Sequence, residues 1–388
     1  MSVDESEVRA AAGAVTDPTL RLPLGELGMV GRVESRRRRS SVVLELPVAD
    51  YPGAAELVDR VRAALGASGA GEVEVTTTTM GEEARARLRA LLRGDPVGGA
   101  PGARGHEHDH GGDAPLGHEE GRPNRFMAPR SKTRVLGIAS GKGGVGKSSV
   151  TVNLGVALSR AGHDVAILDA DVYGFSVPAM LGVHDDPLII GDLVVPPVAN
   201  GVRCLSMGYF VSDETPVIWR GPMLHKALEQ FLVDAYWGEP DFLLVDMPPG
   251  TGDVTLSLGQ YLTKTEVYVV TTPQPAAQRV AQRAAHAARK LKLSVRGVIE
   301  NMSYFTGDDG VRYELFGRGG GSRLAAGLGV PLLAQLPLVP ALREGSDTGV
   351  PVVVGEPESE VATAFDELAA TVAGLGPARV YRRELTVR

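Results

Sequence analysis

An eight-residue stretch at positions 141–148 carries the clearest chemical signal in the chain. It reads Gly-Lys-Gly-Gly-Val-Gly-Lys-Ser and fits the pattern G-x-x-x-x-G-K-[ST] from Gly141 to Ser148. Glycines permit a tight turn in which successive backbone N–H groups point at phosphate oxygens, and a following helix N-terminus adds partial positive charge. Lys147 is expected to reach the β- and γ-phosphates, and Ser148 to bind Mg²⁺. The stretch therefore predicts a nucleoside triphosphate site.

The same glycines also fit a second nucleotide-binding pattern. Gly141, Gly143 and Gly146 match G-x-G-x-x-G, and Asp169 follows at a distance close to the roughly 20 residues of a dinucleotide-binding domain. That alternative has no use for Lys147 and Ser148, and it predicts no acidic loop after a later strand. Because both features are present, the triphosphate interpretation is favoured. A degenerate scaffold is disfavoured, since no expected phosphate or metal residue is missing.

Carboxylates follow two later apolar runs. Asp169 and Asp171 lie in Leu-Asp-Ala-Asp-Val-Tyr-Gly, and Asp246 ends Phe-Leu-Leu-Val-Asp. Two carboxylates beside a triphosphate are costly unless Mg²⁺ or a polarised water offsets their charge. An acid after four apolar residues is the Walker B arrangement, which predicts that Asp246 holds Mg²⁺ through water. Asp253, in Met-Pro-Pro-Gly-Thr-Gly-Asp, suits a helix cap as well as a catalytic role.

Lys142 distinguishes this loop from most phosphate-binding loops. The stretch K-G-G-x-G-K-[ST] resembles the deviant Walker A family of dimeric ATPases, in which the first lysine reaches the phosphates of the partner subunit. The resemblance implies a homodimer that sandwiches nucleotide; the alternative is a solvated loop lysine. It also implies that Asp171 orients the attacking water as general base, with Asp169 in the Mg²⁺ shell. A paired turn aspartate is the plainer alternative for this position.

The resemblance extends to the base of the nucleotide. Asn301 follows the apolar run Val-Ile-Glu, and in that family an asparagine here reads the adenine edge, which suits a side chain that donates and accepts at once. An ordinary turn asparagine is the alternative. The segment 337–347 resembles the loop that encloses the base. The predicted catalytic residues are Lys142, Lys147 and Asp171, and the predicted metal ligands are Ser148, Asp169 and Asp246. The predicted nucleotide contacts are Gly141, Lys142, Gly143, Gly144, Val145, Gly146, Lys147, Ser148, Ser149 and Asn301.

Alternating strand and helix patterns position these residues. The predicted strands, mostly short, apolar and β-branched, are Arg134–Ala139, Val165–Asp169, Val202–Ser206, Phe242–Asp246, Val267–Thr272, Ser294–Glu300 and Leu332–Leu336. The predicted helices are Val150–Leu158, Pro222–Tyr236, Ala276–Leu291 and Val361–Ala373. This order predicts an α/β fold with a doubly wound, mostly parallel sheet, whose ligands lie beyond the carboxyl ends of the strands.

The rest of the chain divides by composition. Residues 1–94 predict a small α+β domain, with helices at 5–12, 54–65 and 82–92 and strands at 29–33, 41–46 and 72–77. Residues 95–132, rich in Gly and Pro, predict a flexible linker ahead of an ATPase domain at 133–373 and a tail at 374–388. The linker holds four of the eight histidines, His106, His108, His110 and His118. His-rich tracts can bind metals, but an incidental polar linker is favoured.

Composition bounds the partners. A net charge of −7 and a pI near 5.7 argue against a dedicated nucleic-acid binder. No apolar run reaches 18 residues, and the N-terminus is acidic where a signal peptide would be basic. We therefore expect a cytoplasmic protein with no nucleic-acid or membrane partner. The single cysteine, Cys204, is expected to be buried on an interior strand.

Three motifs together narrow the resemblance. Residues 140–181, Trp219-Arg-Gly-Pro-Met223 and Asp246–Asp253 resemble the Mrp/ApbC family of iron–sulfur cluster carrier ATPases, over roughly residues 130–373. The first 94 residues resemble the iron–sulfur assembly domain that is fused to bacterial members. The resemblance implies a Mg²⁺-dependent ATPase that transfers iron–sulfur clusters to apoproteins or works with assembly factors. A positioning ATPase of the ParA/MinD kind is the alternative, although neither a basic surface nor a C-terminal amphipathic helix is evident.

One departure concerns the cluster itself. Members of that family carry Cys-x-x-Cys shortly after the Glu-Asn-Met-Ser segment, whereas here the stretch Tyr304–Tyr313 has no cysteine. The N-terminal domain departs in the same way, since Ala54 follows Pro52-Gly53 where a cysteine is usual. Iron–sulfur clusters typically need four thiolates, and a dimer of this chain offers two. The ATP site is thus predicted to be complete, while the usual cluster ligands are absent.

Overall fold

The structure is a computed structural model that describes residues 4–36, 39–94, 124–172, 174–210, 221–250 and 252–378. The four linker histidines, and Trp219 and Arg220 of the motif at 219–223, lie outside the described residues. The chain forms two compact units, one within residues 1–118 together with 188–195, the other within 119–187 and 196–388.

The first unit is a three-stranded sheet with helices. Its first six elements are α1 (Glu5–Gly13), β1 (Val30–Arg36), β2 (Arg39–Leu46), α2 (Ala54–Ala67), β3 (Glu72–Thr79) and α3 (Glu82–Arg93). Strand β2 lies in the middle, antiparallel to β1 and parallel to β3. Alternate residues of β2 are buried, which is the pattern of a sheet with one covered face. Helix α2 begins at Ala54, directly after Gly53 in the left-handed region at φ 72°.

The remaining strands and helices follow in chain order, and most of them belong to the second unit. The strands are β4 (Arg134–Ser140), β5 (Val165–Asp169), β6 (Leu188–Ile190), β7 (Leu193–Val195), β8 (Val198–Ala199), β9 (Val202–Ser206), β10 (Phe242–Asp246), β11 (Glu266–Thr271), β12 (Ser294–Glu300), β13 (Phe305–Thr306), β14 (Arg312–Tyr313) and β15 (Leu332–Gln335). The helices are α4 (Lys147–Arg160), α5 (Val177–Leu181), α6 (Gly221–Asp234), α7 (Asp253–Tyr261), α8 (Pro275–Lys290), α9 (Gly320–Leu328), α10 (Pro340–Thr348), α11 (Val352–Gly355) and α12 (Glu360–Gly374). The hairpin β6–β7 belongs to the first unit.

Eight strands form the main sheet, in the order β15-β12-β11-β4-β10-β5-β9-β8. All pairs are parallel except β8 with β9 at the edge. Strands β5, β9 and β10 are buried along their whole length, as expected for strands covered on both faces. The predicted fold class, a doubly wound and mostly parallel α/β sheet preceded by a small α+β domain, is confirmed.

Two local predictions differ from the structure. Near the end of the predicted linker, Phe126 is buried edge-on against Trp237, and Asn124 Nδ2 donates to the carbonyl of Tyr261. The segment 337–347, predicted as a loop, contains helix α10, which begins at Pro340. Proline suits the first helical position, since its ring fixes φ and its missing N–H would have no intrahelical partner there.

Candidate functional site

Strand register brings the predicted site residues to one edge of the sheet. Strand β10 lies between β4 and β5, and Asp246 at its end is paired with Ile138 of β4 and Asp169 of β5. The glycine-rich loop follows β4 directly and ends where α4 begins at Lys147. Apolar strands that end in polar residues therefore place the loop and two carboxylates side by side.

Two loop glycines have conformations and surroundings that a side chain would disturb. Gly146 has φ 78°, in the left-handed region that glycine favours. A Cβ at Gly141 would lie 2.2 Å from the backbone carbon of Val280 in α8, so the loop passes close against that helix. The loop and its neighbours enclose a cavity of ≈ 420 Å³. Its lining residues are Ser140, Lys142, Gly143, Gly144, Gly146, Lys147, Ser148, Ser149, Asp171, Gly174, Met180 and Pro249.

Lys147 forms a buried ion pair with Asp246. The ammonium lies 2.5 Å from Asp246 Oδ2, and Ser148 Oγ donates to the same oxygen at 2.7 Å. Thr151 Oγ1 donates to the other oxygen, Asp246 Oδ1, at 2.6 Å. The sequence motif did not identify Thr151, although its position four residues after Lys147 places both side chains on one face of α4. Asp246 is thus held by three residues of the loop–helix junction.

Asp169 is directed toward the segment that follows it. Its Oδ2 accepts from the backbone N–H groups of Ser176 and Val177 at 3.1 and 3.2 Å, and from Ser206 Oγ at 3.2 Å. Burial, with the nearby Asp246 carboxylate as a second cause, raises the pKa of Asp169 to about 7. Asp169 is fully buried and does not line the cavity. The geometry favours a positioning role for Asp169, and its place in the Mg²⁺ shell stays a prediction.

The raised pKa of Asp169 has a testable consequence for stability. A folded-state pKa above the unfolded value means that folding holds a proton, so this contribution is present at low pH and is lost as pH rises from about 4 to about 7. We subtract the melting temperature of the wild type from that of Asp169→Asn, both measured without nucleotide or divalent cations. We expect this difference to be larger at pH 8 than at pH 5. The exposed Asp185→Asn variant is the control. Equal differences at both pH values would contradict the assignment.

Asp171 and Lys142 both line the cavity, but Asp171 is largely buried whereas Lys142 is exposed. Asp171 is 9 % exposed, and one of its carboxylate oxygens lies 3.9 Å from Lys147 Nζ. Lys142 is exposed and makes no ion pair with any residue that the structure describes. A partly buried carboxylate facing the cavity suits proton transfer or water orientation. An exposed loop lysine remains available to a phosphate group.

Asn301 lies against the phosphate-binding loop. Its Nδ2 donates to the carbonyl of Val145 at 2.9 Å, and the side chain is buried. The Oδ1 atom is buried and has no hydrogen-bond partner among the described residues. The structure thus brings Asn301 into contact with the phosphate-binding loop, although Asn301 does not line the cavity. Its predicted contact with a base stays a prediction.

The stretch that lacks the usual cysteines forms a hairpin tied to α12. Strands β13 and β14 pair antiparallel, and Glu360 at the start of α12 accepts hydrogen bonds from the segment. The donors are Tyr304 Oη at 3.0 Å, Thr306 Oγ1 at 3.0 Å and Arg312 Nη2 at 2.8 Å. The Arg312 guanidinium also lies over the Tyr304 ring, 4.2 Å from its centroid. This hairpin is held by side-chain contacts where the related proteins were expected to bear thiolates.

Cys204 lies on β9 and is fully buried, as predicted. Burial, together with the Asp169 carboxylate, raises the pKa of its thiol well above the ordinary value. A neutral, inaccessible thiol is a poor metal ligand, because metals bind the thiolate. Among the described residues, no group of three or more His, Cys, Asp or Glu side chains is arranged to hold a metal ion.

The parallel sheet, the glycine-rich loop at a helix N-terminus and the acidic strand ends together define a P-loop NTPase. Residues 131–373 match the family described as the NUBPL iron-transfer P-loop NTPase (ParA), and residues 5–77 match the family described as iron–sulfur cluster assembly protein. The chain belongs to the NUBPL iron-transfer P-loop NTPase family. None of the described helices is long and apolar enough to cross a membrane.

Individual relatives agree with this family. The chain is 43 % identical over 370 residues to the iron–sulfur cluster carrier protein of Mycobacterium tuberculosis, covering 93 % of this chain and 91 % of that protein. It is 38 % identical to the Bacillus subtilis protein of the same name, with 87 % and 88 % covered. A solved nucleotide-binding protein from Archaeoglobus fulgidus, in complex with ADP, has 33 % identity and a TM-score of 0.52, with 60 % of this chain and 93 % of that one covered.

Proposed function

We propose that this protein is a Mg²⁺-dependent ATPase that serves the maturation of iron–sulfur proteins in the cytoplasm. The observation that carries the proposal is the cavity itself, where Lys147, Ser148 and Asp171 lie beside a loop of backbone N–H groups. Loop residues 141–149 would hold the phosphates, with Lys147 at the β/γ end. The family and its relatives, named iron–sulfur cluster carriers, support the biological role.

Ser148, which lines the cavity, and Asp246, which lies buried directly behind it, fit Mg²⁺. Ser148 Oγ and Asp246 Oδ2 lie 2.7 Å apart, and both are the hard oxygen donors that Mg²⁺ prefers. Asp169, Asp171 and Asp246 also bring more negative charge than Lys147 can balance. Ser148 would bind the ion directly and Asp246 would bind through water, so that the cation offsets charge on the phosphates. Asp171 is proposed to orient the attacking water.

The residues present do not fit an iron–sulfur cluster held by this chain alone. One buried cysteine per chain cannot supply the four thiolates that clusters usually need. We therefore place the cluster ligands on the partner, either an apo iron–sulfur protein or an assembly factor. The proposed task of this chain is to couple ATP hydrolysis to the delivery step rather than to store the cluster on its own thiolates.

A maturation assay tests this function. An apo iron–sulfur protein is supplied anaerobically with iron, sulfide and catalytic amounts of this protein, and its cluster content is followed by visible absorbance. We expect faster cluster gain with Mg-ATP than without nucleotide, and no acceleration by Lys147→Ala. An unchanged rate with normal ATP hydrolysis would remove the iron–sulfur role and leave an ATPase of the positioning kind.

We also propose that the active form is a nucleotide-dependent homodimer, in which Lys142 reaches the phosphates bound by the partner subunit. Lys142 is exposed at the cavity rim and is free of ion pairs within the described residues. Lys142→Ala should leave ATP binding by the monomer within about twofold, since exposed groups contribute little on their own. Hydrolysis by the dimer should fall by about 100-fold, the range for loss of one charge-stabilising group. Wild-type turnover in this variant would refute the trans-acting lysine.

A further inference from the structure

A loop that directs its N–H groups at an anion must turn carbonyl groups the other way. Those carbonyls face protein and need donors, because a buried unpaired carbonyl is costly. In this loop Val145 is buried with 2 % exposure, and its carbonyl accepts from Asn301 Nδ2 at 2.9 Å. A side chain 156 residues further along the chain thus satisfies the backbone of the phosphate-binding loop.

Asn301 follows β12, which is separated from β4 by β11, and its backbone is bonded to the end of β11. Its backbone N–H donates to the carbonyl of Thr271 at the end of β11, at 2.8 Å. Strand β11 separates β12 from β4, so the Asn301 amide reaches over the end of β11 to the loop that follows β4. Just before it, Glu300 is fully buried and accepts from Ser303 Oγ at 2.7 Å and Gln335 Nε2 at 2.8 Å. The Asn301 backbone is therefore fixed at the end of β11, and with it the position of the Nδ2 donor.

The contact is close as well as fixed. A Cβ on Gly146 would lie 2.2 Å from Asn301 Nδ2, so the amide occupies the space that any larger residue at Gly146 would fill. Met302, next after Asn301, has φ 53° and turns the chain away from the strand direction. A non-glycine residue in the left-handed region is uncommon, and such backbone is retained where the surrounding structure determines it. Asn301 lies directly before this turn, with its side chain bonded to the loop.

We propose that Asn301 is a positioning residue that holds the phosphate-binding loop in its anion-binding shape, in addition to any contact with the base. This inference rests on the proposed nucleotide binding. Nδ2 is engaged with Val145, while Oδ1 is a buried acceptor without a partner among the described residues. In this proposal the Nδ2 atom holds the loop, and the Oδ1 atom is left for any contact with the base. Loss of the Nδ2 donor weakens binding of any triphosphate, whatever base it carries.

Binding of three ligands to three variants tests the proposal. Dissociation constants for Mg-ATP, Mg-GTP and Mg-tripolyphosphate are measured by calorimetry with the wild type, Asn301→Ala, Asn301→Asp and Asn124→Ala. We expect Asn301→Ala to weaken all three ligands by about tenfold, the effect of one buried hydrogen bond. Asn124→Ala removes a comparable amide donor, which bonds the carbonyl of Tyr261 away from the loop, and should stay within about twofold. Asn301→Asp keeps the shape but sets a carboxylate against the Val145 carbonyl, so it should weaken tripolyphosphate more than Asn301→Ala does.

The outcomes separate the two ideas. If Asn301→Ala loses affinity for ATP alone and binds tripolyphosphate as the wild type does, the loop-positioning role is wrong and Asn301 only reads the base. If the wild type binds none of the three ligands, the nucleotide function itself fails. Melting curves accompany each measurement, and should the alanine variant fold poorly, the comparison of Asn301→Asp with the wild type for tripolyphosphate decides the question.

Discussion

Lys147→Ala should reduce Mg-ATP hydrolysis by about 100- to 1,000-fold, the range seen when one group that stabilises developing charge is removed. Lys147 lies 2.5 Å from Asp246 and 3.9 Å from Asp171, inside the cavity that the loop encloses. Without nucleotide, its ammonium balances the negative charge of these carboxylates. With nucleotide bound, we expect it to balance the charge of the γ-phosphate. Phosphate release under saturating Mg-ATP measures the effect.

A second consequence of Lys147→Ala concerns the ligand-free protein. Breaking a buried ion pair from one side leaves an uncompensated charge, which costs about 3–5 kcal/mol. Asp246 is fully buried, so the variant should melt at a lower temperature than the wild type, and Mg²⁺ should restore part of the loss. Lys290→Ala, on the exposed side of α8, is a matched lysine control expected to change neither property. A variant that retains more than a tenth of wild-type hydrolysis would contradict the role of Lys147.

Asp171→Asn should bind ATP nearly as the wild type does and lose turnover by about 100- to 10,000-fold, the contribution of a general base. Asp171 lines the cavity, whereas the other carboxylate of the same turn, Asp169, is directed to the backbone of Ser176 and Val177. Only Asp171 of this pair faces the space in which a water could attack. Single-turnover hydrolysis and equilibrium binding, measured on the same preparation, separate the two effects.

Asp169→Asn is the informative comparison for that experiment. Its amide oxygen can still accept from Ser176 and Val177, while its NH2 group replaces the Oδ1 atom that accepts from the Asp171 backbone N–H at 3.1 Å, so the variant should keep reduced but measurable turnover. If Asp171→Asn hydrolyses ATP at the wild-type rate, the general-base assignment is wrong. If Asp169→Asn is the variant that loses all turnover, the two aspartates have been assigned in the wrong order.

The elements around the site were predictable because their signals are local. Strands β5, β9, β10 and β12 have the predicted bounds, since each is rich in β-branched or other apolar residues and ends in a polar residue. The loop at 141–148 follows from spacing alone. The order of strands in the sheet then brings the acidic strand ends to the loop, as parallel α/β sheets do.

Other features depend on contacts between distant residues, which a pattern within a short window does not contain. The bond from Asn301 to Val145 spans 156 residues, and the packing of Phe126 on Trp237 joins the end of the predicted linker to the fold. The hairpin β6–β7 has strands of three residues, too short for alternation to be read. The orientation of Asp169 away from the cavity depends on where Ser176 and Val177 lie after folding.

The pairing of Lys147 with Asp246 means that the Asp246 carboxylate would compete with the phosphates of a nucleotide for the Lys147 ammonium. In the proposed mechanism, a triphosphate would need the Lys147 ammonium that now contacts the Asp246 carboxylate, and Mg²⁺ bound with the nucleotide would offer that carboxylate another counter-charge. The apparent affinity for the triphosphate would then fall as the fraction of molecules in which Lys147 is still paired with Asp246 rises. A ligand that brings phosphate and cation together would satisfy Lys147 and Asp246 at once, so we expect the site to prefer metal-bound nucleotide over bare phosphate.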